Sequence, residues 1–332
     1  MSSNRIALDA MGGDHAPEVT LDGALEAAQR TDERRVDPER VLLVGDEDRI
    51  AKLLEERGGN PGFGIVHASQ VIEMGDEPSK SLRAKPDSSI MVGVGAVKRG
   101  LAAAFVSMGN TGACVGASTL GLGTLEGVRR PGIAVTLALT GKPVTFVDMG
   151  ANISPKPDHL VQYAQMGSIY MRDLMGVQEP RVGLLNVGEE EGKGTPLLKE
   201  STPLLKDCGV AFVGNVEGSD LFRDVCDVVV MDGFTGNVLL KFMEQFAEFM
   251  LGMMLSQLSS HGALDWGREA LGDIRRVIDY STYGGALLLG VGGVVVIGHG
   301  RSDKGAVANA LSVAARNIDA GVNAHIEQGL GS

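Results

Sequence analysis

An α/β fold, with helices covering a mostly parallel sheet, is predicted for this chain by three observations. Short apolar runs ending in Gly, Asp or Asn recur along its 332 residues. Segments with helix-like spacing separate them, as in βαβ units. The composition is 44% hydrophobic but only 4% aromatic, with 47 glycines, so Val, Leu, Ala and Met must pack close to backbone.

Taken in order, the runs are RIALDAMGG (5–13), RVLLVGD (40–46), FGIVHAS (63–69), AAAFVSMGN (102–110), PVTFVDMGAN (143–152), PRVGLLNVGEE (180–190), GVAFVGNVEG (209–218) and CDVVVMDGFTGN (226–237). Each reads as a buried strand followed by a turn. Right-handed crossovers then gather the loops at the strand C-termini on one sheet edge, where α/β folds bind ligands.

The candidate site residues all fall in those loops. Asp9, Gly12, Gly13, Asp14 and His15 follow the first run; Gly109, Asn110, Thr111 and Gly112 follow the fourth; Asp148, Gly150, Ala151 and Asn152 follow the fifth. The segments 188–194, 215–217 and 232–237 add Lys193, Asn215, Asp232, Thr235 and Asn237. Gly with Asn, Asp, Glu and Lys suits an anionic small molecule. The stretch MGNTGACVGA (108–117) reads either as a tight loop or as an anion cradle at a helix start. Lys193 can bring an ammonium to a substrate oxygen, and Asn237 reads as an oxyanion donor or as a helix cap. His15 can exchange protons near neutral pH. His67 and His159 read as structural, and Cys114 as a small apolar filler more than a nucleophile.

One stretch differs in character. TGNVLLKFMEQFAEFMLGMMLSQLSS (235–260) sets Phe242, Phe246, Phe249, Met250, Met253, Met254 and Leu258 at helical spacing, with Glu244 and Glu248 on another face. A return helix at roughly 264–278 completes a hairpin excursion over 236–279 from a single 1–332 catalytic domain. The stripe reads as core packing or a dimer interface, with a membrane-contacting tip at Met253, Met254, Leu255, Leu258 and Trp266 as the other reading.

Several functions are excluded. A net charge of −12 argues against nucleic acid. Lys80, Arg83 and Lys85 form one small basic cluster, a solvated surface or a docking patch for an acidic partner. Cys114, Cys208 and Cys226 are widely spaced and outside any CxxC pattern, which predicts neither disulfides nor zinc, in a reducing compartment. A secretory h-region and an 18-residue apolar span are both lacking, so export and membrane spanning are not expected. GxSxG, HExxH and GxxxxGK[ST] are missing as well. GLGTLEG (121–127) lacks the acidic ribose contact of a dinucleotide loop, so no cofactor and no metal is expected.

The segments RIALDAMGGDHAP, SMGNTGA, DMGAN, KPDHLVQYAQMG, PRVGLLNVGEEEGKG and VVVMDGFTGN, with YGGALLLGV and HGRSD near the end, resemble the bacterial phosphate acyltransferases of the PlsX type, over about 5–302. The resemblance implies a Rossmann-like α/β/α sandwich related to phosphotransacetylases and isocitrate-dehydrogenase-type enzymes. It implies transfer of a long-chain acyl group from acyl carrier protein to inorganic phosphate, for phospholipid synthesis. It further implies a cytoplasmic homodimer, peripheral on the inner membrane face, that hands acyl phosphate to a membrane glycerol-3-phosphate acyltransferase. The family's catalytic lysine and asparagine fall on Lys193 and Asn237, and its phosphate loop on 109–112. Met108 stands where the family carries alanine, and the Met-rich hairpin is this chain's own. Two rivals accompany this reading: a phosphotransacetylase using acyl-coenzyme A, and a non-catalytic phosphate-binding membrane scaffold.

Overall fold

The computed structural model describes residues 4–260 and 283–331. Two compact units divide the chain: unit 1 holds Met1–Pro131 with Tyr283–Ser332, and unit 2 holds Gly132–Thr282.

In unit 1 the strands β1 (Ile6–Asp9), β2 (Val41–Gly45), β3 (Gly64–His67) and β4 (Ala104–Ser107) are joined by helices α1 (Glu18–Gln29), α2 (Glu47–Glu56), α3 (Pro78–Ala84) and α4 (Ser89–Lys98), and α5 (Thr111–Leu122) follows β4. Their order is β3-β2-β1-β4, all parallel. β1, β2 and β4 are buried along their whole length, as expected of parallel strands covered on both faces. Side-chain oxygens of Asp46, Ser88 and Asn110 cap α2, α4 and α5. Three glycines of α5 let its neighbours approach closely. A Cβ on Gly112 would lie 2.6 Å from Pro78, on Gly116 2.9 Å from Leu82, and on Gly121 2.7 Å from Val94.

Unit 2 contains β5 (Gly132–Leu137), β6 (Val144–Val147), α6 (Pro157–Met175), β7 (Arg181–Leu185), α7 (Pro196–Asp207), β8 (Ala211–Val216), β9 (Val228–Val230) and α8 (Gly233–Ser260). The order is β5-β6-β9-β7-β8, with β5 antiparallel to β6 and the rest parallel. α6 packs on β6, β9 and β7, burying Tyr163 and Tyr170. Unit 1 is completed by β10 (Ala286–Leu289), β11 (Val294–Ile297), α9 (Lys304–Ala320) and α10 (Val322–Leu330). β11 pairs parallel with β4, and β10 folds back antiparallel on β11.

All eight sequence-read runs contain strands. β5, β10 and β11 were not among them. Each belongs to a tight antiparallel pair within a long apolar, glycine-punctuated stretch, so no helical spacer marks where one strand stops.

Candidate active site

Parallel pairing places the loops after β1, β4 and β11 on one edge of the unit 1 sheet. Asp9 ends β1 with no solvent exposure. Its Oδ2 accepts from the Ser107 hydroxyl at 2.7 Å and its Oδ1 from the Met11 N–H at 3.1 Å. Burial pushes this carboxyl above the ordinary range against those donors and the Ser89 hydroxyl. The Gly109 N–H donates to Ser107 Oγ at 3.0 Å, so the loop after β4 rests on the same network. Gly12 fits above it because it lacks a side chain: a Cβ there would lie 2.4 Å from Asp9 Oδ2 and 2.8 Å from Gly109 N.

The side chain of Asn110 is committed at both ends. Its Oδ1 accepts from Ala113 N–H at 3.0 Å, and its Nδ2 donates to the carbonyls of Met74 at 3.1 Å and Asp76 at 3.0 Å. It therefore caps α5 and ties down the 73–76 loop. The exposed first-turn N–H groups of Thr111 and Gly112 have no intrahelical acceptor, so what this loop offers an anion is backbone. Cys114 is buried, and burial pushes its thiol up to about 12, which leaves it inert as a nucleophile.

On the unit 2 edge, β6, β9 and β7 deliver adjacent loops. Asp148 follows β6 and is fully buried. Its Oδ1 accepts the N–H groups of Ile133 at 2.9 Å, Gly150 at 3.0 Å and Ala151 at 2.9 Å. Its Oδ2 accepts from the Asn152 N–H at 2.7 Å and Nδ2 at 3.3 Å. Burial raises this carboxyl too, with the backbone donors opposing it. The folded loop abuts the start of α8: Gly233 N–H donates to Asn152 O at 2.9 Å, and a Cβ on Gly150 would lie 3.3 Å from the Cβ of Asn237. Asp232 accepts from the Thr235 N–H at 2.9 Å and hydroxyl at 2.8 Å. Asn237 therefore stands in the second turn of α8, exposed and braced from below, while Asp232 does the capping.

Lys193 lies on the loop after β7. Asn186 Nδ2 donates to Lys193 O at 3.3 Å, and Asn215 Nδ2 donates to Glu190 O at 3.0 Å, so two buried amides hold this loop from β7 and β8. A Cβ on Gly194 would lie 2.4 Å from Asn186 Oδ1. The Lys193 side chain is 54% exposed, and its ammonium is 4.0 Å from Glu190 Oε2, a loose contact that leaves it able to meet an incoming anion.

Residues 4–325 match the model of a family described as a fatty acid synthesis protein. The phosphate acyltransferase of Heliobacterium modesticaldum is 44% identical over 330 residues, covering 98% of this chain and 97% of that protein. That of Myxococcus xanthus is 44% identical over 336 residues, covering 98% and 94%. The chain belongs to the phosphate acyltransferase family. Among solved structures, a phosphotransacetylase from Streptococcus pyogenes superimposes with a TM-score of 0.61 at 16% identity, covering 96% of this chain and 95% of that one. A branched-chain phosphotransacylase from Enterococcus faecalis V583 gives 0.56 at 16%, covering 94% and 99%. At that identity these two establish the fold alone, a mostly parallel α/β architecture.

The remaining expected residues fall as follows. Asp14 and His15 are exposed after β1, and Gly13 carries a φ of +108° there. His67 Nδ1 accepts from the Glu47 N–H and His159 Nδ1 from the Lys156 N–H, both structural roles. In the basic cluster, Lys85 is bound to Val71 O and Asp76, and Lys80 pairs with Glu77. Sequence reasoning missed Asn186 and Ser107. Asn186 carried a readable signal, since it directly follows a strand. Ser107 lies inside β4 and carried none.

The α8 stripe is solvent-facing: Phe234, Val238, Phe242, Phe246, Phe249, Met253 and Met254 are each 40% exposed or more, and only Gly233 and Gly236 are buried. Phe242 and Phe246 stack with ring centroids 5.4 Å apart. Leu255 and Leu258 are half-buried. Trp266 and the return helix lie outside the described residues. Among the described residues no helix is long and apolar enough to cross a membrane.

Proposed function

We propose that this chain transfers a long-chain acyl group from acyl carrier protein to inorganic phosphate, giving acyl phosphate for phospholipid synthesis. The observation that carries the reading is the unit 2 edge, where Lys193 stands exposed on a loop held by buried Asn186 and Asn215, and Asn237 stands exposed on α8 against the loop that buried Asp148 folds. Full-length similarity to phosphate acyltransferases supports the same reaction.

The chemistry needs no covalent enzyme intermediate. A phosphate oxygen attacks the thioester carbonyl, forming the C–O bond and a tetrahedral oxyanion. Collapse breaks the C–S bond and expels the carrier thiolate, which takes a proton. The protein supplies orientation and charge compensation. In unit 1, the backbone donors of Thr111 and Gly112, with Gly13, bind phosphate. In unit 2, Lys193 and Asn237 present an ammonium and an amide N–H that can compensate a developing oxyanion.

The exposed stripe of α8 supports two further parts of the reading. Its base pairs with a second copy, and its tip, with Met253 and Met254, contacts the inner membrane face, where acyl phosphate passes to a glycerol-3-phosphate acyltransferase. The deciding experiment offers palmitoyl-acyl carrier protein and palmitoyl-coenzyme A separately, with and without phosphate, and detects acyl phosphate by mass spectrometry. Phosphate-dependent product from the carrier substrate is expected. Product from coenzyme A alone establishes the phosphotransacetylase reading, and vesicle binding without any product establishes the scaffold.

A further inference from the structure

Unit 1 carries one further polar side chain that none of the roles above uses, in a hollow that shares Gly13 with the proposed phosphate site. The hollow is shallow and lies on the loop edge of the unit, lined by Gly12, Gly13, His15, Met108, Gly300 and Ser302 among others. Its free space takes one water-sized group. Ala16, Val19 and Thr20, around the first turn of α1, form one wall, and Val307, in the first turn of α9, forms another. Two long helices thus aim their N-terminal ends at the same place, where their dipoles favour negative charge.

Ser302 is the independent sign that something belongs there. It is 92% buried, yet among the described residues its hydroxyl has no hydrogen-bond partner, although buried hydroxyls are nearly always satisfied. The backbone around it is spoken for: Ser302 N–H donates to His299 O at 2.9 Å, and Asp303 caps α9 through Ala306 N–H at 2.9 Å. The glycines keep the approach bare, since a Cβ on Gly13 would lie 3.2 Å from Gly300 O and from Met108 Cβ. Asp14 stands nearby, 3.4 Å from where a Gly300 Cβ would be.

We infer that this hollow seats one oxygen of a tetrahedral oxyanion of the phosphate class, with the Ser302 hydroxyl as its donor. The inference rests on the phosphate-dependent reading above and adds a binding residue to it.

Ser302→Ala removes the unsatisfied hydroxyl without adding bulk, so the variant folds. Two measurements separate this inference from the parent reading. The first is the rise in thermal midpoint on adding inorganic phosphate, with sulfate in parallel, to wild type and variant. A phosphate-induced rise in wild type that shrinks in S302A, with equal midpoints in phosphate-free buffer, is the expected result. The same rise in both proteins, or none in wild type, overturns the seat whatever the acyl-transfer assay shows. The second is steady-state kinetics: KM for phosphate should rise about tenfold, with kcat and KM for the acyl donor within twofold. An unchanged KM for phosphate, or a fall in phosphate-free midpoint alone, marks Ser302 as structural and overturns the inference.

Discussion

Each unit places a fully buried aspartate at the C-terminal end of a strand, and the two are satisfied in different ways. Asp9 shares its carboxyl with hydroxyls and a little backbone, through Ser107 and Met11. Asp148 is bonded to backbone N–H groups and the Asn152 amide, five contacts that shape the whole 148–152 turn. Hydroxyls can reverse direction and N–H groups cannot. The unit 1 edge is therefore tolerant chemistry under rigid glycines, and the unit 2 edge is an intolerant carboxylate that sets the position of Asn237.

The largest expected effect breaks this contrast at Asp148. In Asp148→Asn the new NH2 faces the Asn152 N–H, donor against donor, and the turn under Asn237 comes apart. A destabilisation of about 3 kcal/mol is expected in denaturant titration. Turnover should fall with KM for phosphate little changed, which kinetics on the folded fraction would check. Gly12→Ala comes next, because its Cβ collides with the Asp9–Gly109 network. About 2 kcal/mol and a raised KM for phosphate are expected, measured by the same two assays.

Asp9→Asn sharpens the comparison from the other side. The new amide can donate to Ser107 Oγ while the hydroxyl turns away, so the change should stay within about 1 kcal/mol. The sign with pH follows from burial. Asp9 is raised above its ordinary 3.8, so its stabilising contribution is complete below that value and is lost as pH rises through the raised folded value. Asn does not titrate. The variant should therefore gain on wild type between pH 4 and pH 7, by thermal melts at each; a gap that widens against the variant would contradict the assignment.

The smallest effect lies away from either site. Burial pushes Asp227 up, but the Arg181 guanidinium, bonded to it at 3.0 and 2.9 Å, outweighs this and holds it below the ordinary range. That stability is present above pH 4 and is lost as pH falls through the lowered value. Arg181→Gln should lower the midpoint by a few degrees at pH 7, with the gap closing below pH 4.

The sheet and its loop edges were legible because buried parallel strands announce themselves as apolar runs and place polar residues at their ends. Lys193 and Asn237 were placed on those edges that way, whereas Asn215, read as a ligand residue, donates to the Glu190 carbonyl and holds its loop. The roles of Asn110 and Asp148 were not legible, since a cap and a backbone-filled carboxylate look the same in sequence as a free ligand. Ser302 was hidden for a similar reason: an unsatisfied hydroxyl exists only in three dimensions. The α8 stripe was readable by period, and the structure adds that it faces solvent.

The most direct test of the account is phosphate-dependent release of carrier thiol by Lys193→Ala, measured beside its phosphate-induced thermal shift. The account predicts turnover at least about 100-fold below wild type, with the shift retained in part and the phosphate-free midpoint unchanged. Near-normal turnover would remove Lys193 from the reaction, and with it the reading of the unit 2 edge as catalytic.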